Sequence, residues 1–189
     1  MALLGNYYIE DAPVSLQDKI GALRVDLKRD DFMCALLREL TGTIEDIIGL
    51  EESSGFISTI GSKIGDELNK EYQTALGKKH LDINEVSAVL VDLKKRINGD
   101  FYVISLDPEK IILGNNRCPF GDYVANRKSL CMVTSNIFGR IVSENLGYAK
   151  VVIEKAISQG DKSCKIAIYL NPNGEGKNKN GKEYFQVED

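Results

Sequence analysis

No apolar run in this 189-residue chain approaches the roughly 20 residues that cross a bilayer, so no membrane span is expected. The opening residues, Met1 to Tyr8, have neither a basic leader nor a long apolar core, which argues against a secretory signal. Positive charge is not in surplus: 24 lysines and arginines stand against 28 acidic residues, a net charge of −4. Nucleic acid is therefore not the expected partner, because phosphate contacts need clustered cations. Histidine is nearly missing. His80 alone lies in a polar connection and would have to carry any nucleophile–His–acid triad, and no Gly-x-Ser-x-Gly elbow accompanies it. No zinc-finger cysteine pair, DNA-binding helix pair, kinase motif or receiver signature occurs either. These gaps point to a cytoplasmic protein that is not an enzyme. In that compartment thiols stay reduced, so the four cysteines read as ligands, sensors or buried fillers rather than disulfides.

What is present is an ordinary soluble composition, 43% hydrophobic and 28% charged, with a change of period partway along. Residues 1–14 read as an irregular arm. Leu16, Ile20, Leu23 and Leu27 recur at coiled-coil spacing and predict a short helix that docks on its own domain or seals a dimer. A second helix is expected from Asp30 or Asp31, with Phe32, Leu36, Leu40, Ile44, Ile47 and Ile48 as its apolar stripe and Cys34 as a buried small residue. After Gly49 and a break at Glu51-Glu52-Ser53-Ser54 comes a third helix. It carries Gly61 and Gly65 one turn apart, a costly pairing that predicts close approach of another backbone or a ligand. Asp82 and Glu85 form a capping box that opens a fourth helix, which Asn98-Gly99 ends.

From Phe101 the pattern turns to strands. Phe101–Ile104 and Ile111–Leu113 pair across an Asp107-Pro108-Glu109 turn. A loop carries Cys118. A helix capped by Ser129 and closed by Gly147 follows, then strands at 148–157 and 163–170. The expected fold is α+β: N-terminal helices packed on an antiparallel sheet made of two β-hairpins separated by a helix. The organisation expected is an arm and helix over 1–29 that serve dimerisation, a sensor domain over 30–170, and a mobile polar tail over 171–189.

Three of the cysteines fall on three different local structures. Cys118 lies in the loop Arg117-Cys118-Pro119-Phe120-Gly121, Cys131 in the first turn of a helix, and Cys164 at the start of a strand on the side it shares with Ile166 and Ile168. Only tertiary folding brings such residues together. A helix N-terminus favours thiolate, the metal-binding form, at Cys131. Glu154, on the hairpin that ends at Cys164, is a candidate oxygen ligand. Three thiolates and a carboxylate suit zinc, and three thiolates with an open position suit an iron–sulfur cluster. Three buried cysteines without any ligand remain the plain alternative.

The segments Leu130-Cys131, Gly139, Gly147, Val152-Ile153-Glu154-Lys155 and Gly160-Asp161 through Ser163-Cys164 resemble the 4-vinyl-reductase domain, whose fold is similar to trafficking-particle subunits. With Cys118-Pro119-Phe120-Gly121 added, the chain looks closest to the related methanogen output domain of signalling proteins. The resemblance implies a small-ligand sensing or regulatory role. In members that sense aromatic effectors it implies zinc held by three Cys and one Glu. Carried over, these fall on Cys131, Glu154 and Cys164, while the remaining Cys falls on Ile157 and is missing. Cys118 replaces it, or the site binds something else, or nothing. The resemblance also implies a pocket between helices and sheet, with Phe101, Tyr102, Phe120, Phe138 and Tyr148 as candidate lining for a small hydrophobic or cofactor-like ligand. Output through a signalling partner protein or a homodimer follows from the same source. An iron–sulfur redox or gas sensor and a trafficking-type assembly scaffold are the rival readings.

Overall fold

The computed structural model describes residues 15–187, so the arm expected over 1–14 lies outside the described residues. The helices are α1 (Leu16–Gly21), α2 (Arg29–Ile48), α3 (Leu50–Leu76), α4 (Ile83–Arg96) and α5 (Lys128–Leu146). The strands are β1 (Asp100–Asp107), β2 (Lys110–Arg117), β3 (Tyr148–Lys155), β4 (Cys164–Tyr169) and β5 (Lys182–Phe185). All pairings are antiparallel in the order β1-β2-β4-β3-β5. The α+β expectation therefore holds, with α5 separating the two hairpins.

Helix α4 starts as its capping box predicts: Asp82 accepts from the backbone of Asn84 and Glu85, and Glu85 returns the bond to the Asp82 N–H. Its stripe, Val86, Leu90 and Leu93, meets Ile137, Phe138 and Ile141 of α5 over the sheet residues Ile111, Leu113, Val151, Ile166 and Ile168. The opposite sheet face carries only a small apolar cluster, Val152, Ala167 and Tyr169 with Ile112 against it. In β1 a register shift between Val103 and Ser105 moves the inward side from odd to even positions, so Phe101 and Leu106 both reach the core.

Four expectations need correction. The first helix is one short capped turn-and-a-half, and Leu23 and Leu27 beyond it are non-helical and exposed, so no coiled-coil seam forms. Glu51–Ser54 is not a break: Gly49, at φ 85°, ends α2, and α3 begins at the next residue. Helix α5 begins before Ser129, whose buried hydroxyl caps nothing. The segment expected as a mobile tail supplies β5, and its Tyr184 is buried over Gly139. That strand was hidden because four residues between polar turns show too little alternation to register.

The glycine pair on α3 does what its spacing predicts. A Cβ on Gly61 would stand 2.4 Å from Cβ of Asn136, and one on Gly65 2.9 Å from Cβ of Arg140, so α3 lies hard against α5. Gly61→Ala is expected to lower stability by about 1–3 kcal/mol through overpacking, despite alanine's helix preference. Gly55→Ala, in the same helix but facing open space, is expected to gain about 0.5–1 kcal/mol. Urea melts of the two variants test the contrast.

Candidate functional site

Cys118, Cys131 and Cys164 line one cavity. Cys118 reaches it from the turn after β2, which closes through a Gly121 N–H to Cys118 C=O bond of 3.0 Å. Cys131 comes from the first turn of α5. Cys164 opens β4, its N–H held by the buried Asn115 side chain at 3.0 Å. Phe101, Phe120, Val124, Leu130, Ile153 and Ile166 make the rest of the wall largely apolar. The cavity measures about 30 Å³. That is room for one water or one ion, whereas a cavity that takes benzene is about 150 Å³.

Burial raises all three thiols above their ordinary range, with Cys118 pushed up to about 11. As neutral groups they bond to their own neighbours. Cys131 donates to Ser158 Oγ at 3.1 Å, and Cys164 accepts the Ile157 N–H at 3.4 Å. Among the described residues no three His, Cys, Asp or Glu side chains are already disposed as a metal-ligand set. Protonated thiols have no mutual attraction to draw them into one.

Glu154 does not belong to this cavity. It sits at a register irregularity of β3, and its carboxylate pairs with Lys165 at 2.8 Å. Ile153, not Glu154, faces the sulfurs, so the strand's alternation turns the carboxylate to the opposite face. Cys34 is half-buried on α2 rather than fully buried. Of the five aromatic candidates, Phe101 and Phe120 line the cavity. Phe138 lies fully buried behind it. Tyr102 is exposed on the edge strand, and Tyr148 is engaged with Phe185 and Glu183, away from the thiols.

Sequence reading missed Lys94. It lies in the basic last turn of α4, where a lysine ordinarily faces water, yet it is only 2% exposed. Its Nζ donates to Thr134 Oγ1 at 2.9 Å and stands 5.2 Å from the Phe138 ring centre and 5.8 Å from that of Phe101. Desolvation brings its pKa down to about 8, and the groups whose ionisation would oppose this shift are the three thiols. A signal was available: Lys94 continues the four-residue spacing of Val86 and Leu90 along the buried stripe.

Helices on one face of an antiparallel sheet enclose a small cavity whose wall carries three thiols. The chain belongs to the methanogen output domain 1 family, whose model matches residues 36–169. It is a regulatory output domain in that sense. Two solved structures share the fold. One is the phenol-responsive sensory domain of the transcription activator PoxR, solved with phenol: 16% identity, TM-score 0.59, 82% of this chain and 81% of that one. The other is trafficking protein particle complex subunit 3 from Naegleria fowleri, covalently bound to palmitic acid: 15% identity, TM-score 0.50, 82% of this chain and 99% of that one. No curated protein matches the sequence. No helix among the described residues is long and apolar enough to cross a membrane.

Proposed function

We propose that this output domain senses a single soft metal ion, zinc in the first instance, taken up by Cys118, Cys131 and Cys164 as thiolates. One observation carries the reading: three sulfurs from a loop, a helix and a strand share the wall of a cavity of about 30 Å³. Size favours one ion over the rivals. A phenol-sized effector, a fatty acyl chain or an iron–sulfur cluster each needs several times that volume. The donor chemistry suits zinc, which accepts three protein ligands and leaves a fourth position for water or an incoming group. Glu154, paired with Lys165 and outside the cavity wall, is left out of the proposed ligand set.

Occupancy reaches the surface through the Cys118 loop. Arg38 of α2 donates to the carbonyls of Tyr123 and Ala125, the latter at 2.8 Å, and so ties α2 to the turn that follows Cys118. Phe32, Leu36 and Leu40 of α2 are exposed apolar residues, which supports a homodimer or a signalling partner on that helix.

The test is thermal melting of reduced, chelator-treated protein with and without zinc. At a hundredfold excess over the dissociation constant, zinc is expected to stabilise the wild type by about 2.7 kcal/mol. Cys131→Ser and Cys164→Ser are expected to lose that gain. Equal stabilisation of wild type and both variants, or none in the wild type, overturns the reading.

A further inference from the structure

We propose that Lys94 is the fixed counter-charge of the thiol cavity, so that the site accepts a divalent ion as a complete three-thiolate, net-anionic unit. The inference rests on the thiol-cavity reading above and goes further in assigning a residue to it. Two thiolates would neutralise a divalent ion. A third leaves one negative charge in excess, buried among Phe101, Val124, Leu130 and Ile166. Such a charge is strongly disfavoured in an apolar wall unless a partner stands by. Lys94 is the buried cation at hand. Its Nζ is anchored on Thr134, a residue of the same cavity wall, and flanked by two aromatic rings.

Lys94 itself lacks a charge partner. Hydroxyl and ring faces satisfy its hydrogen bonding and part of its field, but no carboxylate contributes to its charge environment among the described residues. The acidic groups that would offset its desolvation once ionised are Cys118, Cys131 and Cys164. A buried ammonium held against Thr134 and Phe101, two residues of the cavity wall, is arranged for an occupied, ionised cavity. In the empty one it is an uncompensated charge.

Cadmium ion alone is the probe, because thiolate-to-cadmium charge transfer reports both binding and the number of thiolates engaged. Full-length wild type, Lys94→Met and Thr134→Val are titrated under reducing conditions, and melting curves confirm that each is folded. Wild type is expected to bind one cadmium. Lys94→Met is expected to bind about 10–100-fold more weakly and with roughly one thiolate's share of the absorbance lost. Thr134→Val keeps the ammonium but frees it from its anchor, and is expected to fall between them. Lys94→Met or, should that variant not fold, Thr134→Val within about twofold of wild type at full absorbance overturns the role of Lys94 and leaves the thiol site standing. Wild type without charge transfer overturns both.

Discussion

Lys94→Met is expected to make the metal-free protein more stable near neutral pH and less stable in alkali. In the folded chain Lys94 gives up its proton near pH 8, against 10.5 for an ordinary lysine. Below pH 8 the folded state carries the full penalty of a desolvated ammonium, on the order of 3 kcal/mol. Between those two values the unfolded chain binds more protons than the folded one, so wild-type stability gains with rising pH and the penalty disappears near its upper end. Methionine, unbranched and of similar length, fills the same space without a charge. It also strands the Thr134 hydroxyl, a loss of about 1 kcal/mol. The difference between variant and wild type should thus run from about +2 kcal/mol at pH 7 to about −1 kcal/mol above pH 10. The raised thiols act in the opposite sense, because the folded state holds their protons longer. They are present in both proteins, and the ammonium lowers each of them, so the difference reports Lys94 together with its coupling to the thiols. Urea melts of reduced protein across that range measure it. A gap that does not move with pH would mean that Lys94 is either solvated or already paired. Stability gained together with metal affinity lost is the mark of a residue kept for its site rather than for its fold.

Much of this architecture was legible because local chemistry and tertiary need agree in it. The Asp82 capping box, the Asp107-Pro108-Glu109 turn and the closing Gly147 are signals of local geometry that the structure keeps, and of the two readings open for Gly61 and Gly65 it takes the close-packed helix. The sequence put Cys164 on the core side with Ile166 and Cys131 in a first turn, but that they share a cavity wall with Cys118 rests on tertiary folding and was not legible. Glu154 was carried over from the family resemblance, whereas the alternation of β3, with Ile153 toward the cavity, already assigns it to the other face. Strand β5 and the buried ammonium were hidden for different reasons. The strand draws its stability from a neighbour, through Tyr184 over Gly139 and its hydroxyl donating to Asn136 Oδ1 at 3.0 Å. The lysine sits where helix-dipole chemistry alone would put a solvent-facing cation. The strand is decided by tertiary contacts that no local pattern encodes, while the lysine's place on the buried stripe of α4 was the weaker of two competing local signals.

Phe138→Ala is the substitution expected to cost most, about 3–5 kcal/mol at pH 10. The ring is fully buried at the centre of α5, edge-on to Phe101 at 5.9 Å and 87°, and forms one wall around the Lys94 ammonium. Its removal opens a void beside a polar group, and such a void fills with water, unlike a purely apolar one. Water there solvates Lys94. The lost packing is the same at every pH, but the relief given to the ammonium by water, less the ring's own attraction for the cation, exists only while Lys94 is charged. The cost of Phe138→Ala should therefore be smaller at pH 7 than at pH 10, by up to the roughly 3 kcal/mol that burial of the charge imposes. In the Lys94→Met background that pH dependence should vanish, with the cost staying at its alkaline value throughout. A four-protein cycle of denaturation free energies at the two pH values gives the coupling directly. Coupling that is independent of pH would show that ring and ammonium share a wall without sharing an electrostatic environment. The cavity would then have to balance an ionised occupant without help from Lys94.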